Sequence, residues 1–260
     1  MQKLAALLLA LLLNAMAWTS AGADPTVRSV KVATDVEVPI SVYGASRHRL
    51  ILWLPSEHGV LPAEHEIAHQ LVQTAKLGYE VWVADLFAAR FLPNAPSSLN
   101  QIPASDVAQI IGAAARRHTH IYLLSSGLGA GRALEGGRLW QQRNPRRPLA
   151  GAVLLFPNLY AASPEAGKTP PYLPIVRQTR LPITVLQGNL SPWYWQLEEL
   201  QTQLQRGGSR VKVKTLTGLR DRFYFREDAL PRERAAGRQL AAEISDSIRN
   251  LPSIKRGKTP

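Results

Sequence analysis

From Arg49 onward, short apolar runs recur along the chain with longer amphipathic stretches between them. A run that is apolar on both faces survives as a strand only where both faces of its sheet are covered, which is the situation in a parallel sheet flanked by helices. The strands predicted on this basis are Arg49–Leu54, Tyr79–Ala84, His120–Leu124, Gly151–Phe156, Ile183–Gln187 and Arg210–Leu216. Lys212 and Lys214 share one face of the last, which suits a charged edge strand. Helices are predicted between them at Pro62–Leu77, Ala104–Arg117, Gly129–Arg143 and Trp193–Arg206, with Pro231–Asn250 closing the fold. Gly78 and Gly207-Gly208 stand where helices stop. Two alternating runs, Ser29–Ala33 and Val36–Val42, read as an antiparallel strand pair ahead of this series. The expected architecture is a three-layer α/β/α sandwich with a mostly parallel sheet. The Pro-rich stretch Pro157–Pro174 leaves room for a short cap.

The N-terminus reads as an export signal. Lys3 precedes an apolar run, Leu4–Leu13, and Ala21-Gly22-Ala23 has the small-x-small form of a cleavage site. The run is too short for a spanning helix, so no transmembrane segment is expected after cleavage; an uncleaved anchor is the competing reading. The chain thus divides into a signal peptide (1–23), one domain (24–250) and a basic tail (251–260). The protein is expected in the periplasm or outside the cell. It has no cysteine, which removes disulfides, thiolate chemistry and Cys-ligated metals. Its formal charge is +12. For an exported chain the partners that fit this charge are anionic lipids, lipopolysaccharide or acidic glycans rather than nucleic acid; ordinary solubility charge explains it equally.

Four stretches carry a resemblance. His58-Gly59 follows a buried strand, and a helix and Gly78-Tyr79-Glu80-Val81-Trp82-Val83-Ala84-Asp85 come next. Ile121-Tyr122-Leu123-Leu124-Ser125-Ser126-Gly127-Leu128-Gly129-Ala130 has the form of a strand, a tight turn and a helix. Leu181–Gly188 and Leu216–Phe223 complete the set. Together they resemble α/β-hydrolases, the second stretch being similar to the nucleophile elbow. The resemblance implies an oxyanion-like loop at His58 and Gly59, with the Leu128 N–H as a further donor. It also implies a serine–acid–histidine triad, and at the three positions where that triad belongs the chain has Gly127, Ser191 and Asp221. Asn158 holds an alternative acid position, and Arg222 adjoins the histidine position. In this family the histidine comes last in chain order. The six histidines are His48, His58, His65, His69, His118 and His120, so the C-terminal half has no imidazole base. Ser125 or Ser126 could serve as nucleophile only by shifting the turn.

Other constellations have structural explanations alongside chemical ones. His65-Glu66-Ile67-Ala68-His69 matches a zinc-protease motif, but its imidazoles flank the polar side of a covering helix and no third ligand follows. His118 and His120 read as a partly buried structural pair. Trp193 and Trp195 could cover an apolar ligand or sugar at the sheet edge, or merely anchor a helix. Arg220 and Arg222 could bind a carboxylate or phosphate, or pair with Asp221. No cofactor is expected. The leading expectation is a non-catalytic hydrolase scaffold that binds an unknown ligand or protein of the cell envelope, one of anionic character being among the candidates. The alternatives are an esterase-like serine hydrolase with a non-standard triad and a metal-dependent hydrolase built on His65, Glu66 and His69.

Overall fold

The computed structural model describes residues 24–252 except 75–77, 148, 164, 166–167 and 169. The expected signal segment, the predicted last turn of the first helix (75–77) and the tail from Ser253 onward lie outside the described residues.

Eight strands form one sheet: β1 (Thr26–Ala33), β2 (Val36–Tyr43), β3 (Arg49–Trp53), β4 (Glu80–Ala84), β5 (His120–Ser126), β6 (Gly151–Leu155), β7 (Pro182–Gly188) and β8 (Arg210–Leu216). Their order is β1-β2-β4-β3-β5-β6-β7-β8. β1 and β2 form an antiparallel hairpin, β2 runs antiparallel to β4, and every later pairing is parallel. β4, β6 and β7 are buried at every residue; their sequences are mainly apolar, with Glu80 in β4 and Thr184 and Gln187 in β7 as the buried polar exceptions. At the edge, β8 alternates, and Lys214 on its exposed side pairs with Glu243 at 2.5 Å.

Five helices cover the sheet: α1 (Pro62–Thr74), α2 (Ala104–Ala115), α3 (Gly129–Arg143), α4 (Leu197–Arg206) and α5 (Pro231–Arg249). Successive strand residues point to opposite faces. Leu50 and Leu52 enter a core shared with α2, α3 and α4, whereas Ile51 and Trp53 enter a second core under α1 and α5. Two cores on two faces make the three-layer sandwich. α1 and α5 begin alike. Each has proline at its first position and a glutamate at its third that turns back on the entering chain: Leu61 N–H donates to Glu64 Oε2 (3.3 Å), and Leu230 N–H donates to Glu233 Oε2 (2.8 Å).

Most element ends fall within a residue or two of expectation. The Trp193–Arg206 prediction resolves into a 3-10 turn at Tyr194–Gln196 and then α4. The stretch between β4 and α2 contains a 3-10 turn, Ala88–Arg90, and a one-turn helix, Pro96–Leu99. The cap is slight, marked by a bridge between Tyr160 and Tyr172.

Candidate functional site

In an open parallel sheet the loops at the carboxyl ends of the strands gather on one edge. The segments after β3, β5, β7 and β8 meet there, and they bring Glu57, Gly127, Ser191 and Asp221 to one edge. The turn after β5 has the sharp strand-to-helix form. Gly127 sits at its centre with φ +54°, Gly127 N–H donates to Leu155 O (3.2 Å), and Asn158 N–H donates to Gly127 O (2.9 Å). Glycine adopts this left-handed conformation without a Cβ penalty. Two residues on, a Cβ at Gly129 would lie 2.1 Å from Pro55 O and 2.8 Å from Ser125 Oγ, so α3 starts hard against the β3 loop.

The space in front of Gly127 is filled from within the chain. A Cβ on Gly127 would meet Glu57 Oε2 at 2.5 Å, and that same oxygen accepts the Leu128 N–H at 2.9 Å. The Glu57 carboxylate therefore stands where a nucleophile's side chain would project, and it takes the backbone donor that the elbow would offer to an oxyanion. Its other oxygen lies 3.6 Å from His58 Nε2. Arg222, in a left-handed backbone conformation at φ +62°, brings Nη1 to 3.4 Å from the same nitrogen and donates to it when the imidazole is neutral. The His58 ring also packs edge-on against Phe225.

Ser191 and Asp221, the other two positions at which the sequence resemblance places a triad, touch each other. Ser191 Oγ donates to Asp221 Oδ2 (2.6 Å), and Gln187 Nε2 donates to Asp221 Oδ1 (2.8 Å). Burial raises the Asp221 carboxyl above its usual range, with these two donors and the Arg222 and Arg226 charges offsetting part of the effect. Ser191 Oγ accepts the Trp193 N–H (3.0 Å), so the hydroxyl is committed on both sides. Asn158, at the alternative acid position, turns its Oδ1 to the Tyr160 N–H at 3.4 Å.

Ser125 and Ser126 are 0 % and 1 % exposed, and neither hydroxyl has a hydrogen-bond partner. They are strand residues behind the turn. Gly59, at φ +72°, packs against Asn94. Trp193 stacks at a tilt on Tyr160, with centroids 5.4 Å apart, whereas Trp195 is 88 % exposed and stands away from the cleft that was expected to hold it. Arg220 also departs from expectation. It grips Glu233 through Nε (2.8 Å) and Nη2 (2.6 Å) and reaches Asp228 through Nη1 (2.8 Å), so its guanidinium fastens the loop to the start of α5 and is not presented to a ligand.

The His65, Glu66 and His69 side chains are each engaged separately. The Tyr43 hydroxyl is hydrogen-bonded to His65 Nδ1 (2.6 Å), Gln70 donates to Glu66 (2.7 Å), and Gln73 lies 3.3 Å from His69 Nε2. Among the described residues no three metal-ligating side chains are grouped to hold an ion. The expected His118–His120 pair divides: His118 is buried beside Glu80 and Trp82, while His120 is exposed.

Two features escaped the sequence reading. One is Glu57, which immediately precedes the His58-Gly59 pair. The other is Glu64, fully buried on α1, which accepts a hydrogen bond from Tyr224 O–H at 3.3 Å. Burial lifts the Glu64 carboxyl to about 8, against the opposing hydrogen bonds from Leu61 and Tyr224. Its signal was the Pro-x-Glu start of the helix, which marks a carboxylate that folds back.

No family model matches the sequence, and no curated protein is significantly similar to it. Solved structures do match. Carboxyl esterase 2 of Tuber melanosporum has a TM-score of 0.64 at 13% identity, over 89% of this chain and 88% of its own. A hyperthermophilic esterase from Pyrobaculum calidifontis gives 0.63 at 13% identity, over 87% and 84%. Esterase 2 of Thermogutta terrifontis, solved after phosphorylation by paraoxon, gives 0.57 at 15% identity, over 91% and 99%. With this topology and these neighbours, the chain has the α/β-hydrolase fold.

Proposed function

We propose that this chain is a non-catalytic member of the hydrolase-fold world, a pseudoenzyme that acts as a binding or scaffold protein of the bacterial cell envelope. The observation that carries the reading is the Glu57 carboxylate seated on the Leu128 N–H in front of Gly127. An oxyanion hole works by offering donors to developing negative charge. Here a donor already faces a carboxylate, and the residue beside it has no side chain to attack with. The remaining two positions hold a hydroxyl and a carboxylate where the family pattern has an acid and an imidazole. The export part of the reading rests on the Leu4–Leu13 run and the Ala21-Gly22-Ala23 site in the sequence. Among the described residues no helix is long and apolar enough to cross a membrane.

The test is hydrolysis of short p-nitrophenyl esters by the purified protein, beside Ser125→Ala and Ser126→Ala. The expected result is no turnover above buffer in a folded sample. Turnover that one of these substitutions abolishes would identify a working serine and replace this reading with that of an esterase.

A further inference from the structure

At the β1 end of the sheet a recess opens that the candidate site does not explain. β1 is the outermost strand, and α2 is the helix that packs on it. Directly opposed residues of an antiparallel pair share a face. The register sets Arg28 opposite Ile40 and Val30 opposite Val38. Val38 and Ile40 belong to the core shared with α2, so Arg28 and Val30 point to the α2 side of the sheet. α2 meets them with Ala113, whose side chain is too short to close the gap. A recess of about 170 Å³ is left, with Val30, Ile40, Trp82 and Ala113 around it.

The charged rim of this recess has one sign. Arg28 comes from β1, Arg116 and Arg117 follow the last residue of α2, and no carboxylate is among the lining residues. Among the described residues none of the three arginines takes part in an ion pair. Arg116 and Arg117 offset the dipole at the end of α2. Arg28 stands on a strand and has no such duty. Asp24, exposed ahead of β1, neither lines the recess nor pairs with an arginine among the described residues. Glu80 is buried, accepts the Trp82 Nε1–H (2.6 Å) and lies 3.4 Å from His118 Nε2, so its charge is engaged away from the rim. Size sets the rest of the ligand. A dry cavity of about 150 Å³ takes a molecule as large as benzene. We infer that the recess binds a small carboxylate with a ring-sized apolar body, the ring lying against Val30 and Trp82 and the carboxylate meeting the Arg28 guanidinium at the rim. The two oxygens of a carboxylate match the fork of one guanidinium, and Arg116 and Arg117 add charge beside it. The recess lies between the β1–β2 hairpin and α2, so its ligand does not depend on whether the turn after β5 is catalytic.

The experiment follows the backbone amide signals of the protein by two-dimensional NMR as benzoate is added, beside acetate and benzamide. Benzoate is expected to shift the amides of Val30, Ile40, Trp82 and Ala113 in a saturable way. Acetate lacks the ring and benzamide lacks the charge, and each is expected to bind at least about tenfold more weakly than benzoate. Arg28→Gln should weaken benzoate by at least about tenfold as well, the usual worth of a hydrogen bond between charged groups. Ala113→Leu fills the recess and should abolish the shifts. If thermal melting shows that Ala113→Leu does not fold, Arg28→Gln, a change at an exposed strand residue, decides in its place. Shifts that do not saturate, that gather at the Gly127 turn instead, that survive in a folded Ala113→Leu, or that are as strong with acetate, with benzamide or in Arg28→Gln would each overturn the assignment.

Discussion

Replacing Gly129 with alanine should lower the stability of the folded chain by about 3 kcal/mol, the upper part of the usual range for overpacking. The added Cβ would lie 2.1 Å from Pro55 O, a backbone atom that cannot rotate aside. α3 would have to separate from the loop after β3, and the Leu128–Glu57 contact spans that same junction. Gly237→Ala is the matched control. Gly237 lies inside α5 in ordinary helical geometry, and its new Cβ would meet Tyr224 at a comfortable 3.5 Å. Alanine is the better helix former by about 1 kcal/mol, so this variant should be neutral or more stable. Denaturant melts of the two variants beside the parent decide the matter. Equal effects would mean that the turn after β5 is not tightly packed.

Glu64→Gln should change how stability depends on pH. The ordinary value for this carboxyl is 4.5, and burial lifts it to about 8 in the folded chain. A raised value means that the folded state holds its proton after the unfolded state has released it. The stability Glu64 contributes is therefore complete below about pH 4.5 and drains away as the pH rises through about 8. The slope is about 1.4 kcal/mol per pH unit inside that window, or on the order of 5 kcal/mol across it. Glutamine cannot ionise. The variant should gain on the parent steadily between those limits and run parallel to it outside them. Curves that stay parallel throughout would show that Glu64 is solvated and titrates normally.

The layered fold was legible because both-faced burial leaves an unmistakable sequence: β4 reads Glu-Val-Trp-Val-Ala and β6 reads Gly-Ala-Val-Leu-Leu, with every residue buried. Gly127 at the turn centre was legible for a local reason as well, since small residues on both sides announce a tight strand-to-helix crossing. What the sequence concealed depends on distant partners. Glu57 finds the Leu128 N–H across 71 residues, and nothing local announces that meeting. Arg220 looked available for a ligand because Glu233, its partner 13 residues later, belongs to the next helix. Trp195 looked like a cleft aromatic because the helix was expected to begin at Trp193. The 3-10 turn that comes first rotates Trp195 into solvent while Trp193 keeps its place on Tyr160.

The central claim is that no side chain at the turn is armed for attack. It is tested most directly by incubating the protein with a fluorophosphonate, which modifies activated serines whatever their natural substrate, and measuring the intact mass. The account predicts an unmodified chain under conditions that fully label an active serine esterase. A single adduct mapping to Ser125 or Ser126 would contradict it.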